Sequence, residues 1–264
     1  MGRIITICNQ KGGTGKTTSA INLATSLALS GKRVLLIDLD PQANATSGIG
    51  INKHNVQSST YHILLEEMGV QDAIMSTSIS NLWLVPSSLD LTGAEVELVS
   101  ALGREGRLKR ALAKEKDNYD FMIIDSPPSL GLLTINGLCA ADSVLIPVQC
   151  EYYALEGLTQ LINTVNLVKE NLNPNLQIEG VLLTMADFRT NIAKEVINEV
   201  KSHFKDKVYR TVIPRNVRLT EAPSYGKPIA LYDKDSLGAL RYDDLSKEIL
   251  GLGIAEKITQ EGEA

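Results

Sequence analysis

The chain has 264 residues, enough for one large α/β domain or two small ones. Its composition, 44% hydrophobic and 22% charged, is ordinary for a soluble globular protein, and a formal net charge of −5 excludes a surface that is basic overall, so any nucleic-acid site has to be a local patch. Three cysteines (Cys8, Cys139 and Cys150) without a C-x-x-C pair argue against a disulfide framework, and no apolar run approaches the roughly 18–20 residues that cross a bilayer. Met1-Gly2-Arg3 runs straight into an apolar stretch with no signal peptide read there, so the expected location is cytoplasmic.

Residues 3–8 are short, β-branched and apolar, which predicts a central strand. Lys11-Gly12-Gly13-Thr14-Gly15-Lys16-Thr17-Thr18 follows, and Ala20, Leu23, Ala24, Leu27 and Ala28 then recur at helical spacing until Gly31. This fits the phosphate-loop pattern G-x-x-x-x-G-K-[ST] loosely, with Gln10 in place of the first fixed glycine. The physics survives that change. Glycines let backbone N–H groups turn inward around a phosphate, Lys16 reaches the β- and γ-phosphates, and the Thr17 hydroxyl ligates Mg²⁺. The helix opening at Lys16 adds its positive end. A Gly-rich turn without a ligand is the plain alternative.

A second buried strand is predicted over 33–38, ending in Asp38-Leu39-Asp40-Pro41-Gln42. Carboxylates at the carboxyl end of a parallel strand lie where α/β ligands bind. Asp40, further into the loop, is the candidate for orienting water and contacting Mg²⁺, whereas Asp38 serves there or as a loop cap. Residues 61–65 suggest a helix, 82–85 a strand, and Glu95 to Lys116 one long charged helix with Leu98, Leu102, Leu108 and Leu112 on or near one face. The strand 119–125 ends in Asp125, which holds Mg²⁺ in a phosphate-loop protein or else caps the next turn. Further strands are predicted at 143–148, 178–184 and 208–213, with a helix from about Ala154 to Asn171. Strands alternating with helices predict α/β architecture: a single doubly wound domain, a mostly parallel sheet of about seven or eight strands flanked by helices. Pro214, Arg215 and Asn216 close the last strand at the same edge and are candidates for contacting an adenine base.

The stretch K-G-G-x-G-K-T-T resembles the deviant phosphate loop of the ParA/MinD family of ATPases, with Thr14 where that family usually has Val. Residues 38–46, 127–131, 147–157 and 213–218 are similar to the ParA/Soj partitioning branch in particular, and the similarity spans about residues 2 to 250. The resemblance implies a ParA-type ATPase domain over 1–250 with a short acidic tail at 251–264. It implies ATP and Mg²⁺ as cofactors, and an ATP-dependent homodimer in which Lys11 reaches the partner's nucleotide, the alternative being a solvated lysine. Lys16 and Thr17 would serve phosphate and Mg²⁺, Asp40 and Asp125 water and metal. Glu151, Tyr152 and Tyr153 would lie near the dimer interface. The resemblance also implies nonspecific double-stranded DNA binding, slow hydrolysis stimulated by a ParB/Spo0J-type centromere-binding partner, and a nucleoid-associated location.

From Phe188 to Arg218 the sequence carries eight basic and three acidic side chains, a local surplus of +5. A phosphate-tracking patch needs that asymmetry, though a solvated helix face also produces it. Arg189 and Arg218 are the first candidates for DNA contact, on the resemblance, with Lys201, Lys227 and Lys247 behind them. Rival readings are a MinD-type membrane-positioning ATPase, a nitrogenase-type iron protein and a metabolic ligase. The first needs a basic amphipathic C-terminal helix and the second paired cysteines at a dimer axis. This sequence offers neither, and no small-molecule pocket is legible in it.

Overall fold

The structure, a computed structural model, describes residues 2–151 and 156–252. Tyr152 and Tyr153, and residues 253–264 of the acidic tail, lie outside the described residues. Eight strands form one sheet: β1 (Arg3–Ile7), β2 (Val34–Asp38), β3 (Met75–Ser76), β4 (Leu82–Val85), β5 (Phe121–Asp125), β6 (Ser143–Gln149), β7 (Gln177–Ala186) and β8 (Val208–Pro214). Their order is β3-β4-β2-β5-β1-β6-β7-β8, and every pairing is parallel except β3 with β4. Near-continuous apolar runs belong in the middle of such a sheet, and every residue of β2 and β5 is buried.

The helices are α1 (Lys16–Leu29), α2 (Asn44–Gly48), α3 (Thr60–Leu64), α4 (Val70–Ala73), α5 (Leu91–Glu97), α6 (Arg107–Ala113), α7 (Leu132–Ala140), α8 (Glu156–Asn171), α9 (Asn191–Phe204), α10 (Val217–Glu221), α11 (Ile229–Tyr232) and α12 (Leu237–Ile249). They divide between the two faces of the sheet. One core takes Leu98, Leu108, Leu133, Leu161 and Val200 from α6 to α9 and the turn after α5. The other takes Leu23 and Leu27 of α1 with Tyr242 and Leu245 of α12. Strand order runs outward in both directions from β1, so the loop after β1 stands at the topological switch point, where an α/β sheet opens a crevice.

The eight strands fall within the expected seven or eight; the one not foreseen individually, the antiparallel edge strand β3, is only two residues long and carried no periodic signal. One expectation needs correction. The single helix expected over Glu95–Lys116 is two helices, because the chain reverses at Ala101–Gly106. Gly103 there adopts φ +60°, a left-handed conformation that ends a helix. Asn136 Nδ2 holds the reversal by donating to the Arg104 carbonyl at 2.9 Å. Leu98, Leu108 and Leu112 are buried as expected, but Leu102 lands on the reversal and is 93% exposed.

Candidate nucleotide-binding site

Between β1 and α1 the backbone turns through Gly13 (φ +74°) and Gly15 (φ +86°), conformations that side chains with a Cβ resist. Asn9 stabilises the base of the turn, accepting from the Lys11 N–H at 3.0 Å while its Nδ2 donates to the Pro147 carbonyl at 2.7 Å. Lys16 folds back and its Nζ donates to the Lys11 carbonyl at 3.0 Å. Burial lowers its pKa, opposed first by Asp125 and then by Cys8 and Asp40, so the ammonium stands in a field of acids at the mouth of a helix. Thr14 is buried, and its carbonyl accepts from Thr184 Oγ1 on β7 at 2.9 Å. Gly12, Gly13 and Thr18 lie on the same loop and first helical turn, with the Thr17 hydroxyl close enough to Asp125 to act on its charge. Lys11 is half-buried, and its ammonium makes no hydrogen bond or ion pair among the described residues.

The three candidate acids play different parts. Asp38 ends β2 beside Asp125, its register partner on β5. Its carboxylate is fully buried and committed: it accepts from the Asp40 N–H at 3.2 Å and from both the N–H and the hydroxyl of Thr46 at 2.7 Å. Asp38 is therefore a structural cap that fixes the loop after β2. Burial pushes its carboxyl up to about 6 against those bonds. Asp125 is equally buried, yet neither oxygen has a hydrogen-bond partner; the Thr17 hydroxyl lies near without hydrogen-bond geometry. Burial and the Asp38 charge raise its pKa well above the usual carboxylate value. Asp40 is buried, with Oδ1 accepting from the Gln42 N–H at 2.9 Å. Beyond it Ala43 adopts φ +53°, backbone strain of the kind that gathers at ligand loops.

Among the described residues no cluster of three or more His, Cys, Asp and Glu side chains could hold a metal alone. An orphaned buried carboxylate beside a hydroxyl nevertheless fits Mg²⁺, a hard cation that takes one or two protein oxygens and completes its shell with water and phosphate. The three cysteines are free and buried, and burial pushes the Cys8 thiol up to about 12, so they are packing residues.

A cavity of about 330 Å³ opens beside the loop. Gly15, Thr18, Thr184, Met185, Pro214, Arg215, Asn216 and Tyr242 are among its lining residues, and the Tyr242 hydroxyl is hydrogen-bonded to Ser19 Oγ at 3.1 Å. The loop and the expected base-contacting segment thus share one cavity. Thr184, Met185 and Tyr242 were not foreseen. A threonine at the carboxyl end of β7 could have been, since that edge faces the crevice.

The basic candidates do not form one cluster. Arg189 follows β7 at the carboxyl edge, where its guanidinium grips Asp187 through two hydrogen bonds of 2.8 and 2.7 Å. Arg218 opens α10 at the same edge, paired with Glu221 at 2.9 Å and Asp233 at 3.4 Å. Lys227 lines a neighbouring cavity with Thr17 and Thr18. Lys201 on α9 and Lys247 on α12 stand toward the opposite end of the sheet, on helices that cover different faces, with Lys247 paired to Asp243. Arg215 reaches back to Glu151 at 3.0 Å.

A family model described as an AAA domain matches residues 2–178. The sporulation initiation inhibitor protein Soj of Bacillus subtilis is 62% identical over 253 residues, covering 96% of this chain and 100% of that protein. The chromosome partitioning protein ParA of Myxococcus xanthus is 56% identical over 250 residues, covering 95% of this chain and 88% of that protein. Among solved structures, cobyrinic acid a,c-diamide synthase from Mycobacterium smegmatis, with bound ATP analogue and magnesium, is similar with a TM-score of 0.84 at 36% identity over 95% of each chain.

Proposed function

This chain belongs to the Soj/ParA family of chromosome-partitioning ATPases, and from that premise we propose that it hydrolyses ATP to switch between a DNA-holding dimer and free protomers. The observation that carries the reading is the pairing of a buried, loop-tethered Lys16 with a buried, partnerless Asp125 at the mouth of α1. Residues 1–250 would form the working ATPase unit, in a nucleoid-associated cytoplasmic protein.

Glycines 12, 13 and 15 direct backbone N–H groups to the phosphates and Lys16 neutralises their charge. Pro214, Arg215 and Asn216 bound the cavity assigned to the base. The Thr17 hydroxyl and the carboxylates of Asp125 and Asp40 would hold Mg²⁺, which when bound supplies charge stabilisation at the phosphates. Asp40 also positions the attacking water. Catalysis of this kind rests on positioning and charge more than on covalent chemistry. The ammonium of Lys11, unpaired among the described residues, would reach the nucleotide of a second copy and make the dimer depend on ATP.

Dimerisation doubles the phosphate contacts available to Arg189 and Arg218 and raises avidity without new chemistry. Contacts are to DNA backbone, so no base sequence is read. Intrinsic turnover would be slow, and a ParB-type partner would stimulate it.

The test is a DNA shift with ATP, ADP or no nucleotide over a salt series, with gel filtration alongside. ATP-dependent binding that weakens as salt rises supports the reading. Asp40→Ala should accumulate as an ATP-bound dimer, and Lys16→Ala should bind no nucleotide. An Asp40→Ala protein that binds ATP yet stays monomeric removes the switch.

A further inference from the structure

A cavity of about 490 Å³ lies between α3, α4 and α6 and shares no lining residue with the two cavities beside the phosphate loop. That volume suits a small organic molecule. Ile63, Met68, Val70 and Ala111 give it an apolar wall. Arg107, Arg110 and Lys114 line it as well, spaced three and four residues apart along α6 and its C-cap, which gathers them on one side of the helix.

These cations are only partly answered. The Arg107 side chain is 13% exposed, and its Nη1 donates to the Leu64 carbonyl at 3.0 Å, but its buried Nε has no hydrogen-bond partner. A buried donor of a charged group without an acceptor is a costly arrangement. Lys114 is exposed and makes no hydrogen bond or ion pair among the described residues. Three acids line the cavity. Asp72 accepts from the Gly69 N–H at 3.2 Å and Glu115 from Asn118 Nδ2 at 2.8 Å. Glu66 alone pairs with the arginines, 2.9 Å from Arg110 and 3.6 Å from Arg107. Glu66 is also an unusual occupant of its position. It adopts φ +62° just past the end of α3, a left-handed conformation that glycine usually supplies. Its side chain is 54% exposed, so nothing locks the carboxylate in place. A carboxylate held loosely on a strained backbone, over arginines with donors to spare, is a placeholder for a stronger anion.

We propose that this cavity binds a phosphate monoester with a compact apolar body. The phosphate displaces the Glu66 carboxylate from Arg107 and Arg110 and draws in Lys114, while the body packs on Ile63, Met68, Val70 and Ala111. Planar guanidinium forks match pairs of phosphate oxygens, and a dianion answers three cations better than one carboxylate does. The site is separate from the nucleotide cavity, and the proposal does not rest on the ATPase reading above.

The probe is phenyl phosphate, compared with inorganic phosphate, benzoate and phenol in ligand-observed NMR titrations of the full chain. A non-hydrolysable ATP analogue with Mg²⁺ is kept in excess to fill the phosphate loop. The parent and a control on α8, Lys169→Gln, should bind phenyl phosphate alike. Arg110→Gln/Lys114→Gln should bind it at least about tenfold more weakly, whereas Glu66→Gln, which removes the competing carboxylate, should bind it about three- to tenfold more tightly. All three substituted positions are exposed, so melting temperatures without phenyl phosphate should stay close to that of the parent. Inorganic phosphate and benzoate should each bind the parent at least about fivefold more weakly than phenyl phosphate, and phenol should not bind.

Equal affinity for the parent and Arg110→Gln/Lys114→Gln overturns the site. Unchanged or weaker binding by Glu66→Gln overturns the displacement of its carboxylate. Binding of phenyl phosphate that vanishes once the ATP analogue is present assigns it to the phosphate loop and overturns the proposal. Inorganic phosphate or benzoate binding as tightly as phenyl phosphate overturns the choice of ligand.

Discussion

Asp125→Asn removes one negative charge from a pocket that already holds Asp38 and gives Asp125 no hydrogen-bond partner. A buried polar group left without a partner costs about 1–3 kcal/mol, more when charged. An asparagine there is still unpaired, so only the part due to charge is relieved, and the melting temperature of the ligand-free protein should rise at about 2–4 °C per kcal/mol relieved for a chain of this size. The response to ligand should move the other way. ATP with Mg²⁺ at about 100 times its dissociation constant stabilises a native state by about 2.7 kcal/mol, and most of the metal-dependent part should vanish in the variant. The pH dependence follows the same logic. A carboxyl whose native pKa lies above its unfolded value holds its proton longer when folded, so stability falls as pH rises between the two values. For Asp38 that window runs from 3.8 to about 6, and the raised Asp125 adds to the same slope. The ligand-free parent should lose stability through that window, and Asp125→Asn should lose less. Scanning calorimetry with and without ATP and Mg²⁺ measures all three effects. A variant less stable than the parent without ligand, or one that keeps the full Mg²⁺-dependent shift, would refute the reasoning.

Thr184→Val keeps the side-chain shape but leaves the buried Thr14 carbonyl unpaired, so ATP affinity should fall about fivefold by isothermal titration and fold stability by about 1–3 kcal/mol by chemical denaturation. Arg189→Ala and Arg218→Ala should each weaken DNA binding and reduce the slope of log affinity against log salt by about 1, measured by filter binding. Asp187→Asn should act in the opposite direction on DNA. The Arg189 guanidinium holds the Asp187 carboxyl down to about 2, so it stays charged at any working pH and competes with phosphate for that arginine. Unchanged affinity in Asp187→Asn would mean that Arg189 faces no DNA.

The strand–loop–helix unit was legible because its signals are local. The run Arg3–Ile7, the glycines that take positive φ, and the spacing of Leu23 and Leu27 all act within one turn or strand. Asp125 was legible because it ends an apolar strand. Asp38 was only half legible, since its commitment to Thr46, eight residues on, depends on how the loop closes. The helix expected from Glu95 to Lys116 failed for a like reason: leucine spacing ran through Gly103, and a single left-handed residue outweighs periodicity. Thr184 and Tyr242 reach the site over long sequence separations, 170 residues to Thr14 and 223 to Ser19, that no window of sequence displays. The surplus of +5 between Phe188 and Arg218 was a count along the chain, but Arg189, Arg215 and Arg218 are paired with Asp187, Glu151, Glu221 and Asp233, all outside that window.

The fold and the phosphate loop do not by themselves specify segregation. A synthase of cobyrinic acid diamide shares the architecture at a TM-score of 0.84, so one site geometry serves more than one use. What separates these uses has to lie where the chain meets other molecules, around the rim of the crevice. In this chain that rim carries arginines held by acids, Arg189 by Asp187 and Arg218 by Glu221. On the reading proposed above, Arg189 and Arg218 would each release an acid to take a phosphate. Each exchange is small, because exposed ion pairs contribute about 0–1 kcal/mol. Small exchanges suit a reversible switch of the kind proposed, in which an ATP-dependent dimer would double them and hydrolysis would halve them again.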